Sequence, residues 1–217
     1  MKNKIFIVGG GHSLTPNDFC LLNKVTTIAV NKSFFFLKNP DCFVTMDYSF
    51  LRKLATSELE LLQKSNCSKF FVLNSKFVKQ INGVFVDTKN SLPYKQLNIF
   101  DVIVKSKKEE GIGFSWADFR HGDNSGYCAL QLAVLLGYKE IYLCGIDLNI
   151  AGNKTHFHSG YGEDKKQFEL KLERYFDNFL LGITECLKNG IKLTSCSPVS
   201  RLNKVIEYKP LSFVIGS

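Results

Sequence analysis

Short apolar runs alternate with segments of helical spacing along most of the chain. The first three runs, KIFIV (4–8), VTTIAV (25–30) and CFVTM (42–46), all fall within the first 46 residues. Strands that are buried on both faces read as continuous apolar runs, and helical crossovers between such strands make them parallel. The pattern therefore predicts an α/β protein with a Rossmann-like, doubly wound, mainly parallel sheet and helices on both faces.

The remaining elements follow from the same reasoning. Further strands are expected at 69–73, 83–86, 99–104, 138–144 and 191–195, with an edge piece at 205–208, and helices at 17–22, 49–64, 124–137 and 167–187. Thr15 and Pro16 are expected at the N-cap and first position of the first helix. Since no linker, repeat or low-complexity stretch interrupts them, residues 1–217 are expected to form a single domain.

The chain is basic, with 28 Lys+Arg against 20 Asp+Glu and a formal net charge of +8. Such an excess suits phosphate-bearing partners, either a small nucleotide or nucleic acid. The densest basic run, KSKK, is followed at once by two glutamates, so it does not resemble a nucleic-acid arm. Solubility alone explains the charge equally well.

The seven cysteines form no C-x-x-C or other zinc spacing. An odd number without a disulfide framework is typical of a reducing compartment. The apolar stretch near the N-terminus is too short for a signal peptide, and no apolar run approaches the ~18 residues that a membrane span needs. We therefore expect a soluble, cytoplasmic protein with no membrane partner.

Glycine or polar residues follow the carboxyl ends of the predicted strands and open one predicted helix. Ligands of open α/β sheets bind beyond these strand ends, so a shared nucleotide pocket is expected there. Its candidate residues are Gly9, Gly10, Gly11, His12, Ser13, Asn31, Asp47, Asn124, Ser125, Gly126, Gly145 and Asp147.

Each of these residues also has a simpler structural interpretation. GGGHS lacks the spacing of the dinucleotide motif G-x-G-x-x-G and of a P-loop, so it is either an anion-binding turn or a plain tight turn. Asn31 and Asp47 suit a ribose or a base edge, but also a turn or cap. Asp147 is able to cap a turn or to hold a ribose or a metal.

Two of the four histidines, His156 and His158, stand together in THFHS (155–159). Either is a candidate general base near neutral pH, or the pair is able to hold a phosphate or a metal. H-x-H without a third ligand is a weak metal signal, and a surface loop remains an alternative.

Several stretches resemble the family 42 bacterial sialyltransferases. They are VGGGHSL (8–14), VNKSF (30–34), the NSG helix start, LLGYKEIYLCGIDL (135–148) and IKLTSCSPVSRL (191–202). The same motifs are similar to those of a wider clan that includes phage proteins and an archaeal-type 6-hydroxymethylpterin diphosphokinase. The THFHSGY loop resembles these relatives more.

The resemblance implies a CMP-sugar bound across the strand ends and a metal-independent, inverting transfer. Gly9–Ser13, Asn31, Ser125, Gly126 and Gly145–Asp147 match its nucleotide site, with Asp47 where the family carries Asn. The family's base is a His followed by Ser, which His158 matches. The family's phosphate-binding tyrosines are replaced here by Asn149 and Thr155, so Lys154, His156 and His158 are the candidate phosphate ligands.

Three functions follow from these observations. The first is a nucleotide-sugar-dependent glycosyltransferase without a required cofactor, in a phage-type variant acting on a nucleotide or on a modified DNA base. The second is a diphosphokinase that needs ATP and Mg²⁺, with Asp47 and Asp147 as metal ligands. The third is a non-catalytic nucleotide-binding protein. An oligomer is compatible with all three.

Overall fold

The structure, a computed structural model, describes residues 3–74, 78–81, 84–87, 99–150, 156 and 165–216. The strands are β1 (Lys4–Val8), β2 (Thr27–Val30), β3 (Cys42–Thr45), β4 (Ser68–Asn74), β5 (Val78–Ile81), β6 (Val84–Asp87), β7 (Val102–Ser106), β8 (Glu140–Cys144), β9 (Lys192–Ser195) and β10 (Glu207–Tyr208). The helices are α1 (Pro16–Leu22), α2 (Tyr48–Arg52), α3 (Thr56–Lys64), α4 (Ser125–Leu135), α5 (Lys165–Lys188) and α6 (Leu211–Gly216). Short 3₁₀ helices lie at Asn31–Phe36, Trp116–Asp118 and Arg201–Lys204.

Eight strands form one sheet in the order β10-β9-β8-β1-β2-β3-β4-β7. Every neighbouring pair in it is parallel. From β1 the chain steps outwards through β2, β3 and β4, and it later returns to β8 on the other side of β1. The topological switch point therefore lies between β1 and β8, where open α/β sheets bind their ligands.

Alternate residues of each strand enter two separate cores, one on each face of the sheet. In β1, Ile5 and Ile7 join the core that α4 and α5 cover, while Phe6 and Val8 join the core beneath α1, α2, α3 and α6. Both faces are buried because strand side chains point to opposite sides with period two. The predicted doubly wound α/β fold is confirmed.

The predicted single helix at 49–64 is wrong, because the segment forms two helices. Asp47 caps α2 through its Oδ1, which accepts from Phe50 N at 3.0 Å. The chain then leaves helical geometry, and Ala55 adopts an extended conformation with ψ 157°. The Glu58 carboxylate accepts from Ala55 N at 2.9 Å and so starts α3. Two local caps thus override a continuous amphipathic pattern.

Three strand predictions also need correction. The strand expected at 83–86 is β6, which pairs antiparallel with β5 outside the main sheet, and Gly83 lies outside the described residues. The strand expected at 99–104 begins only at Val102, because Phe100 packs against Phe43 and Phe71 instead. The strand at 191–195 is not the last parallel one, since β10 pairs parallel to it at the edge.

All seven cysteines are free thiols, and five of them are buried: Cys42, Cys67, Cys128, Cys144 and Cys186. They behave as small core hydrophobes. Burial raises the pKa of Cys186 to about 12. Within the described part of the chain, no helix combines the length and the apolar character needed to cross a bilayer.

Candidate functional site

A cavity of about 330 Å³ opens at the carboxyl ends of the strands, over the switch point between β1 and β8. The candidate residues that line it are Gly9, Gly10, Gly11, Asn31, Asp47, Asn124, Ser125, Gly126, Gly145, Asp147 and His156. Apart from His156, these residues were predicted to lie together because they follow the carboxyl ends of strands or begin a helix. Six separate stretches of the chain therefore converge on one place.

Glycine backbone forms the floor of this cavity. Gly9 N donates to Cys144 O and Gly11 N donates to Gly145 O, each at 2.8 Å, so the contact between β1 and β8 continues past both strands. A Cβ on Gly9 would lie 2.5 Å from Gly145 O, and one on Gly11 would lie 2.4 Å from Asp147 Cγ. Only glycine permits this approach. The amides of Gly9 and Gly11 are consequently used inside the protein, as is that of Ser13, so the anion-binding turn expected from the sequence loses three of its N–H donors.

Asp147 ties three loops together instead of projecting freely into the cavity. It is 3 % exposed. Its carboxylate accepts from Ser13 N at 2.9 Å, Ser13 Oγ at 2.7 Å and Ser197 Oγ at 2.6 Å. Ser13 and His12 do not line the cavity, because both turn towards this carboxylate, and His12 Nε2 also donates to Asn149 Oδ1 at 2.7 Å. These contacts hold the ends of β1, β8 and β9 in register.

Asn31, the first residue after β2, has two unusual features. Its φ is +51°, in the left-handed region that only a few non-glycine residues occupy. Its side-chain Oδ1 is buried and meets no hydrogen-bond donor among the described residues. Backbone strain and an unsatisfied polar atom concentrate at functional sites. Both features therefore point to a ligand that donates a hydrogen bond here.

The third strand end and the start of α4 are joined directly. Met46 N donates to Ser125 Oγ at 3.2 Å, and Asp47 N donates to Thr45 Oγ1 at 3.0 Å. Asn124, rather than Ser125, is the N-cap of α4, and its Oδ1 accepts from Tyr127 N at 3.1 Å. The first turn of α4 thus presents its positive end to the cavity beside Asn31 and Asp47.

The first half of α5 forms a wall of the cavity that sequence reasoning missed. Lys171 and Tyr175 line it, one turn apart on the same helix. The helical spacing of apolar residues across 167–187 predicted that Tyr175 lies in the core and gave no role to Lys171. The available signal was their spacing, since Lys171, Tyr175 and the fully buried Phe179 follow one another at intervals of four.

Ion pairs fix this wall and neutralise a nearby carboxylate. Asp123 lines the cavity, but it is paired with Lys108 at 3.5 Å and with Arg174 at 3.6 Å. Glu173 accepts two hydrogen bonds of 2.8 Å from Arg201, and these bonds hold the pKa of Glu173 below its usual range. The N-terminal half of α5 is thereby attached to the loops that surround the cavity.

His156 is half-buried and lines the cavity, as the base hypothesis requires. His158 and Lys154 lie outside the described residues. The assignment of the base to His156 or His158, and of a phosphate contact to Lys154, therefore stays a prediction.

The assignment of Asp47 and Asp147 as Mg²⁺ ligands stays a prediction, because Mg²⁺ is usually held by one or two carboxylates together with the phosphates of its substrate. Across the described ranges, no three His, Cys, Asp or Glu side chains cluster closely enough to hold a metal ion. The Asp147 carboxylate is engaged by Ser13 and Ser197, and Asp47 Oδ1 caps α2. The predicted metal ligands thus hold loops and a helix end in place.

No family model matches the chain, and no curated protein matches it in sequence. Solved structures do. The sialyltransferase CstII from Campylobacter jejuni, in complex with CMP, is 23 % identical with a TM-score of 0.52, over 96 % of this chain and 86 % of that one. The same enzyme with the substrate analogue CMP-3FNeuAc is 22 % identical with a TM-score of 0.50, over 97 % and 87 %. This chain has the sialyltransferase fold.

A second glycosyltransferase shares the architecture. The MAf glycosyltransferase from Magnetospirillum magneticum AMB-1 is 15 % identical with a TM-score of 0.50 over 98 % of this chain. The chain spans about a third of that protein's length, 34 %. The fold expected from the resemblance is confirmed, whereas the phage and diphosphokinase relationships stay predictions.

Proposed function

We propose that this protein is a nucleotide-sugar-dependent glycosyltransferase whose donor binds in the cavity over β1 and β8. The observation that carries the proposal is the distribution of polar groups around a glycine floor. Hydrogen-bond acceptors, Asn31 Oδ1 and the Asp47 carboxylate, stand beyond β2 and β3. The amino end of α4 and the Lys171 ammonium group supply positive charge around the same cavity. A nucleotide has the complementary distribution.

The nucleoside occupies the part of the cavity beyond β2 and β3. Asn31 and Asp47 accept hydrogen bonds from ribose hydroxyls or from an exocyclic amino group of the base. Gly9 and Gly11 let the loops after β1 and β8 lie against each other, so that backbone forms the floor beneath the sugar. The bound nucleotide satisfies the buried Oδ1 of Asn31, so the cost of leaving that oxygen unpaired is regained on binding.

Transfer itself needs a base and a stabilised leaving group. His158, or His156, takes the proton of an acceptor hydroxyl, whose oxygen then attacks the anomeric carbon. The bond to the phosphate oxygen breaks, and the nucleoside phosphate leaves from the opposite face with inversion. The amino end of α4 and the cations around it stabilise the charge that develops on the phosphate. The CstII neighbour was solved in complex with CMP, which supports a nucleotide as the ligand, and a nucleotide or a modified DNA base is a proposed acceptor.

The proposal is tested by binding and by transfer. CMP, UDP and ATP, together with sugar derivatives of CMP and UDP, are screened by thermal shift with and without Mg²⁺, and donors that bind are assayed for release of the free nucleotide. We expect release that survives EDTA and that a His158→Ala variant abolishes while remaining folded. The Asp47→Asn variant tests the nucleoside contacts, and Asp177→Asn, on an exposed position of α5, is its matched control.

Other outcomes separate the alternatives. Diphosphate transfer from ATP that EDTA abolishes would establish the diphosphokinase instead. Nucleotide binding without turnover of any donor would leave a nucleotide-binding protein. Full activity in His158→Ala would move the base to His156, and full activity in both single variants and in the double variant would reject a histidine base.

A further inference from the structure

We infer that Lys171 and Tyr175, on α5, form the phosphate-contacting wall of the cavity. This inference rests on the proposed function, because it identifies the group of the donor nucleotide that these two side chains recognise. It assigns the role that sequence reasoning gave to Lys154, His156 and His158 to residues of a helix that packs on the sheet.

The pair lies on a face of α5 that is otherwise part of the core. Further along α5, the side chains of Phe179, Ile183 and Cys186 are at most 1 % exposed. Phe179 packs edge-on against Tyr127 of α4, with ring centroids 5.3 Å apart. Tyr175 and Lys171 lie one and two turns before Phe179 on the same face. Both side chains line the cavity, and the partly buried Tyr175 also packs against the core.

Contacts with a neighbouring loop fix the orientation of this part of α5. Asn178 Nδ2 donates to Gly122 O at 2.8 Å, and Arg174 pairs with Asp123 at 3.6 Å. The Arg174 guanidinium also lies 5.6 Å from the centre of the Tyr175 ring. Since these contacts attach the helix to the loop at Gly122 and Asp123, the Lys171–Tyr175 face keeps its direction towards the cavity without a ligand.

The charged groups around the cavity also favour a phosphoryl ligand. Around the cavity, the Asp123 carboxylate is paired with Lys108 at 3.5 Å and with Arg174 at 3.6 Å. Lys171 shares the cavity with Ser125 and Gly126, the first two residues of α4. An ammonium group and the amino end of a helix on the same cavity form a site for a phosphoryl group, to which the Tyr175 hydroxyl adds a donor.

The experiment compares nucleosides with their 5′-monophosphates. Cytidine, uridine, adenosine and guanosine, each with its monophosphate, are titrated by calorimetry into wild type, Lys171→Met, Tyr175→Phe and Lys188→Met. Lys188 is exposed at the far end of the same helix, so its variant controls for the loss of one positive charge. Inorganic phosphate is titrated in parallel by thermal shift.

We expect Lys171→Met to weaken monophosphate binding by about tenfold or more and Tyr175→Phe by about threefold, as charge-assisted and neutral hydrogen bonds do. Nucleoside binding should stay within about twofold of wild type, because neither residue touches the base or ribose. Lys188→Met should match wild type for every ligand.

The outcomes separate this inference from the proposed function. Equal losses for nucleoside and monophosphate, or no loss for either, would overturn the inference while the nucleotide site stands. Phosphate binding that depends on Lys171, without binding of any nucleotide, would support the inference and reject the proposed function. Binding of neither nucleotide nor phosphate would reject both.

Discussion

Replacement of Asp147 by alanine should destabilise the protein strongly, because this carboxylate holds the loops after β1, β8 and β9. Each hydrogen bond to a charged acceptor is worth roughly 1.5–3 kcal/mol, so its three bonds give roughly 4.5–9 kcal/mol. Removing the carboxylate also removes the cost of burying its charge, which is several kcal/mol. We expect a net loss of about 3 kcal/mol in the free energy of unfolding, within the usual range for a broken buried network.

Asparagine at the same position should be milder. Its amide oxygen is able to accept from Ser13 N, and the hydroxyls of Ser13 and Ser197 are free to rotate and accept from the amide nitrogen. We expect a loss of about 1–2 kcal/mol for Asp147→Asn, as for a partly retained network. Since asparagine keeps the volume of the side chain, the loss in Asp147→Asn reports the change in the hydrogen bonds and charge without a cavity.

Urea unfolding measures both variants, followed by the fluorescence of the single tryptophan, Trp116, and by circular dichroism. With a slope of about 2–3 kcal/mol per molar urea, the midpoint of Asp147→Ala should fall by roughly 1 M. Asp177→Ala, at an exposed position of α5, should leave the midpoint within experimental error. A midpoint for Asp147→Ala equal to that of the control would refute the argument that Asp147 joins the three loops.

Two further predictions concern backbone strain and buried thiols. Asn31→Gly should leave the free energy of unfolding unchanged or raise it by up to about 1 kcal/mol, because glycine adopts φ +51° without strain, while calorimetry should show weaker nucleotide binding. Undiminished affinity would contradict the role of its Oδ1. Burial raises the pKa of Cys186 to about 12, so its contribution to stability is complete below pH 9 and is lost as the pH rises towards 12. The fall of unfolding free energy with pH should therefore be shallower in Cys186→Ala by about 1.4 kcal/mol per pH unit, and equal slopes would contradict this.

The strands and their ends were predictable because they depend on local pattern. Apolar runs such as KIFIV are recognisable as buried strands, and the residues just past them, Gly9 and Asn31, were correctly placed at one edge of the sheet. The principle that ligands bind beyond parallel strand ends then gathered most of the cavity lining without any knowledge of strand order.

Long-range pairings were not predictable in the same way. Nothing in the local sequence indicates that Asp147 accepts from Ser13, 134 residues earlier, and from Ser197, 50 residues later. Its interpretation as a ribose or metal ligand followed from its position alone. The local sequence also does not indicate the direction in which α5 crosses the sheet. From the sequence, Lys171 is therefore indistinguishable from a surface lysine on an amphipathic helix.

The separation between a floor of backbone and walls of side chains has a consequence for redesign of the specificity of this protein. An added Cβ would collide with Gly145 O at Gly9, with Asp147 at Gly11 and with the Leu14 side chain at Gly145, and Gly145 also has a φ of +62°. Substitution of these glycines therefore cannot reshape the floor of the cavity beneath a ligand. Libraries that aim at a new substrate should hold these three glycines constant. They should vary Asp47, which is the N-cap of α2, and the exposed residues of the surrounding loops.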